Sequence, residues 1–374
     1  MIKKFALIII LTLPFGRLMA QNQPGEEDYA KGLQLYFEGY YQLAATSFGN
    51  AIKTNPKLYE AYLYQGNCYA NLHQFNAAEK DLKIAAKHLK KNQKLEFAFG
   101  YLYNEMGNYK NAIPHLEKAV LLDPKDALAF NALGVSCQGL HRARTAIDNY
   151  SNAIKLDSNL AIAYNNRGTA IYENQDVDAA SSFDIRSAIK DLDKAIKIDP
   201  ALCVALRNRG LAYSFLNKND LALTDLNAAI KCQNNNATYY LNRGSLLTTM
   251  HQYKGAITDI SYALELNPNQ PEAYILLGES YARAGSTQDA VIAEMKAYIM
   301  DKSYTGLGYY NIGRYYALSK DKALMMKYLN LSKKAGYFKP KENLAGFLKN
   351  ADFANYKADP DFNKFRQSVR KNRM

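Results

Sequence analysis

Glycine recurs along this chain at an almost constant interval. Nine glycines follow one another at spacings of 34, 34, 34, 34, 42, 34, 34 and 35 residues: Gly32, Gly66, Gly100, Gly134, Gly168, Gly210, Gly244, Gly278 and Gly313. A fixed period near 34 residues indicates that one small structural unit is copied along the chain, because each copy buries its apolar face against its neighbours. We therefore divide the chain into about nine repeats, numbered by these glycines, with an insertion in the fifth.

Two alanines and a large apolar residue follow most of these glycines at fixed distances. In the fourth repeat, Ala146, Tyr150 and Ala153 follow Gly134. Residues at i, i+4 and i+7 share one face of a helix, so this pattern predicts a second helix that packs closely on the first. A proline closes four of the repeats, at Pro56, Pro124, Pro200 and Pro268. Each repeat is therefore predicted to be a pair of α-helices, because proline stops the second helix.

One glycine and two alanines recur at the same positions of most repeats. This pattern resembles the tetratricopeptide repeat family over roughly residues 25–336. The chain has no Trp and carries Tyr or Phe where that family often has Trp. The resemblance implies an all-α fold, a right-handed α-solenoid of about nine helix pairs with an insertion near residues 174–187. In the ninth repeat, Met325, Leu329 and Ser332 replace the alanine pattern, as expected of a terminal capping repeat.

Residues 337–374 are predicted to form a short helical cap and a basic tail. Four phenylalanines of this segment are expected to cover the last apolar face of the repeats: Phe347, Phe353, Phe362 and Phe365. Eleven basic and four acidic residues lie from Lys333 onward, so this end holds most of the net charge of +12. The basic C-terminus either contacts an acidic partner or an anionic surface, or is a solvated cap. Nucleic-acid binding is not expected, because it needs a basic stripe along the binding face.

The first 20 residues have the order of a signal peptide. Lys3 and Lys4 precede an apolar run over residues 5–15, and Ala20 supplies the small residue needed for cleavage. The apolar run is too short for a transmembrane helix, although an uncleaved N-terminal anchor is the alternative. We therefore expect an exported protein, in the periplasm or secreted.

The sequence lacks motifs for catalysis, phosphate binding or metal binding. Three histidines share one place, seven residues after the repeat glycine: His73, His141 and His251. Repeats hold such residues roughly 20 Å or more apart, so they are predicted to be turn residues and not metal ligands. Asp176, Asp178 and Asp184 in the insertion lack the other ligands of a calcium loop and are interpreted as solvated. We expect no enzyme activity, no metal and no cofactor.

Four cysteines in an exported protein raise the question of pairing. Cys68 and Cys137 lie beside their glycines and are predicted to be buried. Cys203 begins the first helix of the sixth repeat, and Cys232 ends its second helix. Antiparallel helices bring these ends together, so a disulfide between them is a candidate.

In the family that this chain resembles, first helices line an inner groove that holds peptides or protein segments. An asparagine two residues before the glycine recurs in four repeats: Asn166, Asn208, Asn242 and Asn311. An arginine directly follows the first three: Arg167, Arg209 and Arg243. A row of asparagines can pair with an extended backbone, since each offers a donor and an acceptor. The alternative is that they bond the neighbouring helix and that the arginines reach acidic groups.

The sequence therefore predicts an exported, non-catalytic scaffold or adaptor that binds a protein or an extended peptide segment in its groove. The alternatives are a chaperone-like holder of extended polypeptides and an accessory subunit of an envelope enzyme complex. A holder would bind many unrelated peptides with similar, weak affinity, whereas an adaptor would prefer one partner.

Overall fold

A computed structural model describes residues 24–173 and 182–371. These residues form α-helices and two short 3-10 helices, and no β-strand occurs among them. None of these helices is both long enough and apolar enough to cross a bilayer. The chain separates after Pro200 into two compact halves, which we describe one at a time. The prediction of an all-α solenoid of helix pairs is confirmed.

The N-terminal half contains five described helix pairs. The helices are α1 (Glu26–Phe37), α2 (Tyr41–Thr54), α3 (Tyr59–Asn71), α4 (Phe75–His88), α5 (Gln93–Glu105), α6 (Tyr109–Leu122), α7 (Ala127–Gly139), α8 (Ala143–Leu156), α9 (Ala161–Glu173) and α10 (Ser182–Ile198). Each odd-numbered helix packs on the even-numbered helix that follows it, and each pair packs on the next. Residues 174–181, most of the predicted insertion, lie outside the described residues, and so does the signal peptide.

The C-terminal half contains four more helix pairs and a cap. The helices are α11 (Cys203–Phe215), α12 (Asn219–Cys232), α13 (Ala237–Thr249), α14 (Tyr253–Leu266), α15 (Pro271–Arg283), α16 (Thr287–Met300), α17 (Thr305–Leu318), α18 (Lys322–Lys334), α19 (Lys341–Lys349) and α20 (Pro360–Lys371). One 3-10 helix, Lys302–Tyr304, precedes α17, and the other, Ala351–Tyr356, joins α19 to α20.

The repeat glycine lies where the two helices of a pair cross. A Cβ atom placed on Gly134 would lie 2.5 Å from Cε1 of Tyr150, and one on Gly32 would lie 2.6 Å from Cε1 of Phe48. Real Cβ atoms do not approach so closely, so only glycine lets the large apolar residue of the second helix fill this space. The glycine period therefore reflects close packing: a Cβ atom would come within 2.9 Å of its neighbour at Gly32, Gly66, Gly100, Gly134 and Gly244, and within 3.0–3.1 Å at the other four repeat glycines.

The turn between the two helices of a pair has one conformation throughout. The residue seven positions after the repeat glycine has a positive φ in the eight repeats where that position is described: Gly39, His73, Gly107, His141, Asn217, His251, Gly285 and Lys320. In the second repeat the next N–H, that of Gln74, bonds the carbonyl of Tyr69 at 2.8 Å. A residue with this left-handed backbone conformation ends a helix, because it turns the chain so that the N–H groups at this point bond the last carbonyls of the helix. The prediction that the three histidines are turn residues is confirmed.

The cap closes the last repeat with aromatic side chains. Phe347, Phe353 and Phe362 are each 2% exposed, and Phe365 is 5% exposed. They pack in one cluster with Tyr310 of α17. The cap therefore takes the place of a further helix pair at this end of the C-terminal half.

Candidate functional site

Successive first helices lie side by side within each half, and polar side chains join their edges. Tyr101 of α5 donates its hydroxyl to Oδ1 of Asn71 in α3 at 3.2 Å. The hydroxyls of Thr248 in α13 and Ser280 in α15 lie 2.9 Å apart. We call the surface made by α1, α3, α5, α7 and α9 in one half, and by α11, α13, α15 and α17 in the other, the first-helix face.

The four candidate asparagines all form hydrogen bonds within the protein. In the N-terminal half, Asn166 is half-buried and donates to Oδ1 of Asn131 in α7 at 3.1 Å. Asn208 is only 2% exposed and Asn311 only 4% exposed, so neither side chain presents an open pair of hydrogen-bonding groups. Asn311 donates to Oε1 of Glu294 in α16 at 3.1 Å.

Arg207, which the sequence analysis did not single out, links two of the asparagines. Its Nη1 donates to Oδ1 of Asn208 at 2.7 Å, and its Nε donates to Oδ1 of Asn242 in the next first helix at 2.8 Å. In the structure, Asn166, Asn242 and Asn311 thus bond neighbouring helices, whereas Asn208 bonds Arg207 of its own helix, and the binding of a peptide by this row stays a prediction. The physical reason is that first helices lie close enough for these amides to find protein partners.

The three candidate arginines are held by carboxylates of the second helices. Each donates Nε and Nη2 to the two oxygens of one aspartate at 2.7 Å: Arg167 to Asp191, Arg209 to Asp225 and Arg243 to Asp259. Such bidentate pairs hold a guanidinium firmly, and the bonds to Asp191 raise the pKa of Arg167. The arginines therefore join first helices to second helices, as the alternative stated, and their part in a peptide-binding groove stays a prediction.

The sequence analysis did not identify the aspartates, because no local motif marks them. They stand out only when the repeats are aligned with one another. Asp225 and Asp259 each lie three residues after the first alanine of the second helix, Ala222 and Ala256. Asp191 holds the same place in the fifth repeat. Comparing the second helices position by position would have shown these carboxylates beside the arginines.

The open part of the first-helix face in the N-terminal half is aromatic and charged. A shallow surface cavity there is lined by Tyr29, Glu60, Tyr64, Asn92 and Lys94. The rings of Tyr29 and Tyr64 meet edge to face with centroids 6.2 Å apart. The ammonium group of Lys94 lies 5.9 Å from the centroid of the Tyr64 ring and 3.3 Å from its hydroxyl. Glu60 and Lys94 are exposed, so the cavity offers apolar surface between two opposite charges.

The structure joins Cys203 and Cys232 in a disulfide. Their Cα atoms lie 5.7 Å apart, at the start of α11 and the end of α12. Cys68 and Cys137 are buried free thiols. Burial raises the pKa of Cys68 to about 12, which keeps it protonated and unreactive at neutral pH.

The described residues include no group of three or more His, Cys, Asp or Glu side chains that could hold a metal ion. Of the three insertion aspartates, Asp176 and Asp178 lie outside the described residues, and the same holds for the side chain of Asp184.

A buried polar network ties the cap to the last two repeats. Glu294 of α16 is fully buried, and its Oε2 accepts a hydrogen bond from the hydroxyl of Tyr315 at 2.9 Å. Burial raises the pKa of Glu294 to about 7. Nearby, Asp352 of the cap pairs with Arg283 at 2.9 Å and with Arg314 at 2.8 Å. These bonds fix the cap against α15 and α17.

Comparison with known proteins identifies the repeats. The family described as "TPR repeat" matches residues 100–139, and that described as "Tetratricopeptide repeat" matches residues 241–305. The human protein "Tetratricopeptide repeat protein 6" is 32% identical over 133 residues, which are 34% of this chain and 24% of that protein. The "Small glutamine-rich tetratricopeptide repeat-containing protein 2" of Mycosarcoma maydis is 27% identical over 137 residues, or 35% of this chain and 39% of that protein. The chain thus spans less than half the length of either relative.

A solved structure shares the fold. A tetratricopeptide repeat protein from Parabacteroides merdae superposes with a TM-score of 0.52 and 16% sequence identity, over 69% of this chain and 99% of that one. At this identity the match concerns the fold alone. Together with the glycine crossings and the repeated left-handed turn, these matches show that the chain contains tetratricopeptide repeats.

Proposed function

We propose that this protein is a non-catalytic scaffold for protein–protein interaction, and that it holds a segment of its partner on the first-helix face of the N-terminal half. The observation that carries the proposal is the cavity between α1, α3 and α5, where Tyr29 and Tyr64 lie between Glu60 and Lys94. Aromatic side chains beside charged ones are typical of surfaces that bind proteins, because the rings offer contact area at a small entropic cost.

The rest of the first-helix face supports the same function. On α13, Thr238, Ser245 and Thr249 are exposed and polar. Small hydroxyl side chains can bond an extended backbone without selecting its side chains. In the C-terminal half this hydroxyl-bearing stretch is therefore a separate and less selective contact surface for an extended segment.

The test is a charge reversal in the cavity. Peptides are selected from a random display library on the full chain, and the Kd of each synthetic peptide is measured. Lys94→Glu should weaken binding about tenfold, because one lost charge contact of this kind is worth about 1.4 kcal/mol. Lys110→Glu changes an exposed lysine of the second helix α6 and serves as the matched control.

Equal effects of the two substitutions would contradict the location of the site. Weak and similar affinity for many unrelated peptides would instead favour the holder of extended polypeptides.

We also propose that the scaffold works outside the cytoplasm, in the periplasm or secreted. This rests on the charged, apolar and small residues of positions 1–20, in the order that a cleaved signal peptide requires.

A further inference from the structure

Three repeats share a guanidinium site at the contact of three helices. In each, the arginine before the repeat glycine pairs with the aspartate of its own second helix. Each guanidinium also lies over a tyrosine ring, with the carbon atom 5.7 to 6.0 Å from the ring centroid: Arg167 over Tyr164, Arg209 over Tyr213 and Arg243 over Tyr240. Two of them reach a side chain of the preceding second helix: Arg167 donates to Ser151 at 3.1 Å and Arg243 to Asn227 at 2.7 Å.

The second repeat has the carboxylate of this site without the arginine. Asp81 of α4 lies 16 residues after Gln65, the same interval that separates Arg209 from Asp225. Gln65 occupies the arginine position, and its amide turns away to donate to the carbonyl of Ala45 at 2.8 Å. Asp81 is 8% exposed, and its Oδ2 is buried without a hydrogen-bond partner.

The tyrosine positions of the site are also present in the second repeat. Tyr62 corresponds to Tyr164 and Tyr240, and Tyr69 corresponds to Tyr213, because they hold the same places relative to the repeat glycine. Where Ser151 lies in α8, the second helix α2 of the first repeat has Gly49. A Cβ atom on Gly49 would meet only the Gln65 amide within 4 Å, at 2.9 Å. The space over Gly49 is therefore open apart from the flexible end of Gln65, and a group that enters there must displace this amide to reach the buried Oδ2 of Asp81.

We propose that this site binds the guanidinium group of an arginine supplied by a partner protein, which enters between the second helices α2 and α4. A buried carboxylate without a partner is unfavourable, and a cation that pairs with it removes that cost. Guanidinium is favoured over ammonium because it matches both carboxylate oxygens and stacks on tyrosine rings. A metal ion is not favoured, since a single carboxylate gives too few ligands.

This inference does not depend on the proposed function, because it concerns the surface of the second helices and not the first-helix face. Burial raises the pKa of Asp81 to about 6, so near pH 8 the empty site holds mostly carboxylate.

The probe is the blocked tripeptide acetyl-Gly-Arg-Gly-amide, titrated into the full chain near pH 8, where Asp81 is ionised. The backbone amide shifts of Ala45, Gly49 and Asp81 are followed by NMR. We expect saturable shifts, and binding of the corresponding lysine tripeptide that is at least about fivefold weaker. Absence of saturable shifts at these three amides would overturn the proposal, as would equal binding of the two tripeptides.

Two variants test whether the binding site is the one proposed. Asp81→Asn removes the charge at constant size and should abolish the shifts. Gln65→Arg keeps the carboxylate but fills the site from within, so it should also abolish them while folding at least as stably as the parent. Asp148→Asn, at an exposed carboxylate of α8, should bind like the parent.

Unchanged binding in Gln65→Arg would show that the tripeptide sits elsewhere, and this outcome decides the question even if Asp81→Asn does not fold. Lys94→Glu should bind the tripeptide normally, so a failure of the first-helix site and a failure of this site can be told apart.

Discussion

At the scale of single residues, the same side-chain type at the same repeat position has different surroundings. Asn208 is buried and accepts a hydrogen bond from Arg207, whereas Asn166 is half-buried and donates to Asn131. The position of each asparagine could be predicted from the repeat. Its partner could not, because the partner differs from repeat to repeat: a first-helix residue 35 positions away for Asn166 and Asn242, the adjacent Arg207 for Asn208, and a second-helix residue for Asn311.

Replacing Asn166, Asn208 and Asn242 together with Ala should therefore lower the melting temperature. Each change leaves a partner, Asn131 or Arg207, without one of its bonds, and a buried polar group left unpaired costs about 1–3 kcal/mol. Circular dichroism during heating measures this loss. Asn235→Ala, at an exposed position, is the control and should leave the melting curve in place. An unchanged melting temperature in the triple variant would mean that these amides are not part of the scaffold.

At the scale of helices, most of the fold could be predicted, because the packing of each helix pair depends on the size of a few side chains. A glycine at the crossing and two alanines beside it admit only one kind of helix pair, and this rule repeats along the chain. What could not be predicted are the departures from the rule. In α16, Glu294 occupies the place where α14 buries Ile260 and α12 buries Leu226. Nothing in the local sequence shows that Asn311 and Tyr315 of α17 are there to bond it.

The buried Glu294 should make the C-terminal half less stable as the pH rises. Its folded pKa of about 7 exceeds the ordinary value of 4.5, so between these values the folded state holds a proton that the unfolded state has lost. Stability is thus full below about pH 4.5 and falls as the pH passes through 7, by up to about 3 kcal/mol.

Urea unfolding followed by circular dichroism near pH 5 and pH 8 measures this difference. Glu294→Gln should remove most of it, whereas Glu265→Gln, at an exposed carboxylate of α14, should retain it. A pH dependence that is identical in Glu294→Gln and the parent would assign the titration to another group.

At the scale of the whole molecule, the two ends of the chain differ. The C-terminal end is closed by the aromatic cap. At the other end, α1 begins at Glu26, shortly after the predicted cleavage position at Ala20. Removal of residues 1–20 would therefore take away no helix of the described repeats. The division after Pro200 has no counterpart in the sequence analysis, because the glycine period continues on both sides of it.

The mature protein should begin at Gln21 if the export proposal holds. N-terminal sequencing of protein isolated from intact cells measures this directly. Replacing Ile9 and Leu11 with Asp interrupts the apolar run, and it should leave the protein in the cytoplasm with its first residues in place. Retention of Met1 by the unaltered protein would support the uncleaved anchor instead.

The bond between Cys203 and Cys232 also determines how the chain responds to mechanical force. It joins the two open ends of the α11–α12 hairpin, across a sequence separation of 29 residues. Tension applied to the chain ends passes through the sulfur atoms, so the residues between them carry none of it. An extended chain spans about 3.5 Å per residue. With the disulfide intact, the fully stretched protein is therefore roughly 100 Å shorter than it would be without the bond. When bound proteins pull on the scaffold, the sixth repeat cannot be drawn out until this bond is reduced.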